Sequence, residues 1–175
     1  MSSTRKPPLP LYVHLWQYQS LYVTFVSLPQ NLSFEEGALA EPLSVLIHSF
    51  RRAAFSAGQT VLVYGVGTIG LLACALAKAR GCSRVVAVDI NQARLSLAKR
   101  HGFADNVFCL PAIPKAKSPE DQLRRARENA DRILEAFGED NGFDVVFECT
   151  GAESCIQMAI HVRNFPPVFP GCKVN

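Results

Sequence analysis

Residues 60–70 read Thr60-Val61-Leu62-Val63-Tyr64-Gly65-Val66-Gly67-Thr68-Ile69-Gly70, and this order decides the fold. Thr60 to Tyr64 is a short apolar run rich in β-branched residues, which predicts a buried strand. Gly65 breaks it. The nearly all-apolar stretch from Thr68 to Arg80 predicts a helix buried over most of its surface, with Gly81 as its stop. Between strand and helix, Gly65, Gly67 and Gly70 form G-x-G-x-x-G. Alone that pattern is weak; closing a strand and opening a helix gives it meaning. Gly65 permits the sharp turn, Gly67 lets the backbone approach a pyrophosphate, and Gly70 lets the helix lie close to the strand. The first turn of the helix then offers unpaired N–H groups and a partial positive charge to phosphate.

Outward from this turn, the next strand is Arg84 to Asp89. Asp89 follows Gly70 by about 20 residues, where a carboxylate accepts hydrogen bonds from an adenine ribose. Ile90 follows instead of Arg, and a 2′-phosphate would meet a negative charge, so NAD is expected over NADP. A cap for the following helix is the alternative reading of Asp89, and a plain turn that of the glycines. Asn91 caps a helix ending near His101, and Asn106 to Leu110 is a third strand. Pro111 to Lys117 reads as a loop. Ser118-Pro119-Glu120-Asp121 is a helix start: a cap, proline in the first turn, then acids. Leu123, Ala126, Ala130, Ile133, Leu134 and Phe137 mark its buried stripe. Phe143 to Cys149 is a fourth strand, and Ala152 to Val162 a last helix. Thr150 and Gly151 follow the fourth strand's carboxyl end, where ligands collect in open α/β sheets. An ordinary helix cap is the alternative at Thr150. His48 and His101 have no evident partners and read as solvated or capping. Upstream, Ser33-Phe34-Glu35-Glu36 is a capping box, and Gly37 to Arg52 is helical, with Pro42 offsetting two pieces. Alternating strands and helices predict an α/β, doubly wound, Rossmann-type parallel sheet.

Composition narrows the function classes. The chain has 175 residues, about one domain, with 49% apolar and 19% charged residues, which excludes a wholly disordered chain. A net charge of +3, with no long Lys/Arg run, argues against a nucleic-acid binder. Residues 7–28 are greasy, but His14, Gln17, Gln19 and Ser20 interrupt them before about 18 apolar residues accumulate, so no membrane span is expected. None of the six cysteines forms C-x-x-C, and none has a histidine at ligand spacing. Scattered cysteines fit a reducing compartment, the cytoplasm.

Leu28-Pro29-Gln30-Asn31-Leu32-Ser33-Phe34-Glu35-Glu36-Gly37-Ala38, Glu41-Pro42-Leu43-Ser44-Val45, the 65–70 turn, Asp89 with Arg94-Leu95, and Phe147-Glu148-Cys149-Thr150-Gly151-Ala152-Glu153 strongly resemble the sorbitol (polyol) dehydrogenases of the zinc-dependent medium-chain superfamily. The resemblance covers about residues 28–162. It implies an enzyme in which zinc polarises a secondary hydroxyl of a small polyol and hydride passes to NAD, giving a ketose, and it admits a homo-oligomer. By resemblance, Ile69, Asp89 and Arg94 contact NAD, and Glu41 is a carboxylate near zinc and substrate. A surface helix arginine is the alternative at Arg94.

The family's GroES-like catalytic domain supplies Cys, His and Glu as zinc ligands, and residues 1–27 hold no counterpart of them. At the other end Phe165-Pro166-Pro167-Val168-Phe169-Pro170 cannot make a central strand. The expectation is an irregular segment at 1–27, a partial NAD-binding domain with leading helices at 28–162, and a proline-rich tail at 163–175. Such a piece lacks the catalytic domain and the last strands and has no metal site of its own. Three functional readings stay open: a piece of a polyol dehydrogenase inactive by itself, a catalytically dead dinucleotide-binding or interaction module, and a non-functional product with an exposed sheet edge.

Overall fold

The computed structural model describes residues 27–111, 116 and 118–163. The expected irregular N-terminal segment, most of the 111–117 loop and the tail after Arg163 lie outside them. The chain divides into two compact units, 1–44 and 45–175.

In the first unit, α1 (Phe34–Ala38) carries the expected capping box: Glu36 N–H donates to Ser33 Oγ (3.1 Å), and Ser33 N–H donates to Glu36 Oε2 (2.8 Å). The helix then breaks at Leu39, and α2 (Ala40–Arg52) follows with Pro42 in its first turn; its residues from Val45 on belong to the second unit. Pro42 offsets the two pieces, but the break falls three residues before it. A proline has no N–H for the carbonyl of residue i−4, here Ala38, so the ladder fails upstream of the ring.

The second unit is a four-stranded, all-parallel sheet in the order β3-β2-β1-β4. Its strands are β1 (Thr60–Tyr64), β2 (Arg84–Asp89), β3 (Asn106–Cys109) and β4 (Val145–Glu148). The crossovers carry α3 (Thr68–Ala79), α4 (Gln92–Arg100) and α5 (Pro119–Phe137), and α6 (Glu153–His161) follows β4. Alternation along the strands makes two cores. Val61, Val63, Val85, Ala87, Val145 and Phe147 face Ala73, Cys74 and Ala77 of α3 and Leu95 and Ala98 of α4. Leu62, Tyr64, Val86 and Val88 face Ala126, Ala130 and Ile133 of α5 and Met158 of α6. Phe50 completes the first core by stacking on Phe147 at 4.4 Å.

α3 is buried over most of its surface, as expected: fully along Gly70, Ala73, Cys74 and Ala77, and in part at Leu71, Leu72 and Leu76, which pack against the same core. One expectation changes in detail. β4 is shorter than Phe143–Cys149 because its entry is held by side chains. Thr60 N–H (2.8 Å) and hydroxyl (3.0 Å) donate to Asp144 Oδ2, and Asp144 N–H donates to Thr60 Oγ1 (3.1 Å). After α6, Arg163 makes a single parallel bridge to Phe143. Among the described residues no helix is long and apolar enough to cross a membrane.

A Cβ built on Gly70 would stand 1.7 Å from the Gly65 carbonyl oxygen, so any side chain there must push α3 off β1. Gly70→Ala is expected to destabilise the chain by about 2 kcal/mol, in the range of overpacked cores. Urea denaturation measures it; a midpoint equal to that of the unaltered chain would contradict the packing described.

Candidate functional site

In the sheet order, β1 has β2 on one side and β4 on the other, so the strand order reverses between β1 and β4. Open α/β sheets bind ligands beyond the strands' carboxyl ends at such a reversal. A cavity of about 600 Å³ lies there, within the second unit, in the size range of small-molecule and cofactor sites. All four strand ends contribute: Tyr64, Gly65 and Gly67 after β1, Asp89 and Ile90 at β2, Leu110 and Pro111 after β3, and Cys149 and Thr150 after β4. Arg94 of α4 and Ser154, Cys155 and Met158 of α6 close the sides.

The three turn glycines have three separate reasons. Gly65 sits at φ +83°, a left-handed conformation side chains avoid, and a Cβ on it would lie 2.5 Å from Thr150 Cγ2. Gly70 is excluded from bearing a side chain by the Gly65 carbonyl. Gly67 differs: its φ of −78° suits any residue, and a Cβ on it would meet nothing within 4 Å. Neither backbone strain nor packing requires glycine at 67. What glycine leaves there is open approach to the backbone, beside the first turn of α3, which has no side-chain cap and no acid. That arrangement fits a pyrophosphate.

Asp89 is 7% exposed. Its Oδ2 accepts from Val66 N–H (2.6 Å) in the glycine turn, and its Oδ1 accepts from Asn91 N–H (2.8 Å). It does not cap α4; Asn91 does, through Ala93 N–H (2.9 Å) and Arg94 N–H (3.2 Å). Each carboxylate oxygen has lone-pair capacity beyond its one backbone bond, as recognition of a ribose diol requires.

Thr150 does not cap α6 either. The N-cap is Ala152, without a side-chain bond, and Thr150 Oγ1 accepts from Ala152 N–H (2.9 Å) ahead of the helix. Glu148 holds this turn: its carboxylate accepts Thr150 N–H (2.7 Å), the Thr150 hydroxyl and Gly151 N–H (3.0 Å). The Thr150 methyl therefore meets Gly65 at a fixed place, and the β1 and β4 turns interlock.

Gly65, Gly67, Asp89, Arg94 and Thr150 thus share one cavity. Gly70 acts beneath it, through packing. Ile69 is 37% exposed on the first turn of α3 and is not part of the cavity wall. Glu41 belongs to the other unit, exposed in the first turn of α2. His48 and His101 are exposed, and His101 is the C-cap of α4. The described cysteines are free thiols. Burial pushes the Cys149 thiol up to about 12 and raises Cys155 as well, so both are neutral at physiological pH. Sequence reasoning missed Tyr64, Cys155 and Met158. Their available signal was position alone: the residue before the first glycine, and two residues three apart after the Glu148–Gly151 turn.

Among the described residues, no group of three His, Cys, Asp or Glu side chains converges on a point that could hold a metal. They do not fit a zinc ion, which takes at least three protein ligands.

A family model described as zinc-binding dehydrogenase matches residues 68–165. D-xylulose reductase A of Aspergillus niger is 41% identical over 135 residues, covering 77% of this chain and 34% of its own length. The chain therefore spans about a third of the length of the curated relatives it matches. Among solved structures, galactitol-1-phosphate dehydrogenase of Escherichia coli superposes with a TM-score of 0.61 at 28% identity, over 79% of this chain and 36% of its own. A Sinorhizobium meliloti chain described as a zinc-binding dehydrogenase and bound to NADP gives 0.63 at 25% identity, over 79% and 36%.

The open space at Gly67 yields a clean separation of stability from binding. Gly67→Ala is expected to change the stability of the ligand-free chain by less than about 1 kcal/mol. The same change should weaken ADP-ribose binding by about tenfold, as a methyl group intrudes on the phosphates. Calorimetric titration with a parallel urea curve checks both; undiminished affinity would remove the phosphate from this turn.

Proposed function

We propose, from the premise that this chain belongs to the zinc-binding dehydrogenase family, that it binds the nicotinamide dinucleotide of a polyol dehydrogenase and prefers NAD to NADP. The observation that carries the reading is the cavity at the strand-order reversal, with the open Gly67 backbone on one side and the Asp89 carboxylate on the other. The dinucleotide, when bound, supplies a nicotinamide ring that accepts hydride. The chain's own residues bind and orient it. The glycine turn and the first turn of α3 take the pyrophosphate, Asp89 takes the adenine ribose, Arg94 flanks the adenine side, and Thr150 bounds the cavity beyond β4. Ile69 lies one residue into α3, within reach of the same ligand in the family's arrangement.

Charge supports the preference for NAD. Among the described residues lining the cavity, Asp89 and Arg94 are the charged ones, one anion and one cation. A 2′-phosphate brings about two negative charges and would face the Asp89 carboxylate, with Arg94 the described cation beside it. Ile90, 73% exposed, adds no second cation.

The substrate reading follows from the family's polyol branch: a secondary alcohol of a sugar alcohol oxidised to a ketose, with Glu41 near the reacting centre of the whole enzyme. The described residues offer no zinc ligand set, so no step of that oxidation is assigned to them. A dinucleotide-binding module without catalysis is the second reading, and the same lack of converging ligands favours it.

Two measurements test this. Titration of the chain with each cofactor should give tighter binding of NAD than of NADP, and Asp89→Ser should narrow the ratio several-fold; equal affinities in the unaltered chain would refute the preference. Incubation with sorbitol or xylitol and NAD, with and without zinc, should give no NADH absorbance. Positioning and Lewis-acid activation of the hydroxyl both require ligands that these residues lack. Zinc-dependent turnover abolished by Glu41→Ala would overturn that expectation.

A further inference from the structure

Tyr64, the last residue of β1, is fully buried, and among the described residues its hydroxyl has no hydrogen-bond partner. A buried hydroxyl left unpaired is costly, and most such groups in folded proteins find a partner. Its packing puts this residue at the cavity. Its side chain packs in the core of the α5–α6 face with Val88, Leu110 and Met158, and these three residues line the cavity together with Tyr64 itself. Cys155 belongs to the same lining.

This part of the wall has a definite chemistry. Val88, Leu110, Pro111 and Met158 are apolar, and Cys155 is a neutral thiol. It would reject a phosphate and accept an uncharged ring. It also adjoins the ribose-reading acid, because Leu110 N–H donates to the Asp89 carbonyl oxygen (2.9 Å). Burial, with Cys155 adding to it, raises the phenol above its ordinary range, so the hydroxyl keeps its proton and can donate it.

We propose that Tyr64 is a further cofactor-binding residue, whose hydroxyl donates a hydrogen bond to the adenine ring of the bound dinucleotide inside this apolar part of the cavity. This rests on the reading of the cavity as a dinucleotide site. It assigns to the ligand a hydrogen bond that the described chain does not supply. It also makes recognition of the adenosine half depend on both faces of the sheet: Asp89 for the sugar, Tyr64 for the base.

Tyr64→Phe tests it with almost no change of shape. In the full chain, calorimetric titration should show NAD and ADP-ribose each binding about three- to tenfold more weakly to the variant, the loss of one neutral hydrogen bond. Nicotinamide mononucleotide, which has no adenine, should bind both proteins alike. The thermal midpoint of the ligand-free variant should equal or exceed that of the unaltered chain, since the change removes an unpaired hydroxyl. ADP-ribose affinity unchanged by the substitution, with the unaltered chain binding NAD, would overturn this inference and leave the dinucleotide reading standing. A lower ligand-free midpoint with unchanged affinity would overturn it too, by placing the hydrogen bond within the protein. An unaltered chain that binds neither NAD nor ADP-ribose would overturn both readings.

Discussion

The Gly65 carbonyl oxygen occupies the place where a side chain on residue 70 would begin, 1.7 Å from an ideal Cβ. This backbone-to-backbone approach fixes α3 against the end of β1. From it follow the direction in which the first turn of α3 faces, the position of Gly67, and the space left in front of both. The residues above it could not be arranged as they are if α3 stood a methyl group farther away. Asp89 secures the same turn from β2, with its Oδ2 on Val66 N–H (2.6 Å). Glu148 and Thr150 secure it from β4, through the Thr150 methyl packed where a Gly65 side chain would be. Three strand ends are thus tied to one turn, each by a different kind of contact.

This arrangement separates residues that shape the cleft from residues that face it. Gly65 and Gly70 are required by the protein itself. Gly67 is required by nothing within the described protein. Asp89 does both: its charge anchors two backbone amides while the same carboxylate faces the cavity. A substitution at Asp89 therefore acts on turn geometry as well as on the charge the cavity presents, and Asn, which keeps an oxygen acceptor but brings an NH₂ donor, would satisfy only one of the two amides. Cavity charge and loop order are coupled in this fold through a single side chain.

The order of strands and helices, their caps and the glycine turn were legible because each rests on local rules. Periodicity marks elements, Ser33, Asn91 and Ser118 cap them, and Gly81 ends α3. The parallel sheet follows from alternation. The two helical pieces at Pro42 were legible as well, and the break at Leu39 follows the Ala38 carbonyl that the proline leaves without its helical donor. At the site, the glycines, Asp89, Arg94 and Thr150 were legible as a pattern. The meeting of Tyr64 with Cys155 and Met158 in one cavity wall was not, since it brings β1 and α6 together across three intervening strands and their helices. The clasp of Glu148 on Thr150 is local, but only geometry distinguishes it from a cap.

The Thr60–Asp144 bonds join residues 84 apart in sequence, whereas β1 reaches β2 by pairing Thr60 with Arg84. Loop closure grows with the logarithm of length, so bringing β4 to β1 costs about 1 kcal/mol more entropy than bringing β2. Assembly of the sheet is therefore graded. β1, α3 and β2 can form a compact nucleus from near neighbours, while β4 docks on the other edge against a larger entropic barrier. The side of the cleft closed by Thr150 is the side with the larger closure cost. The two walls of the cavity thus differ in contact range: the β2 wall with Asp89 is built from near neighbours in sequence, and the β4 wall from distant ones.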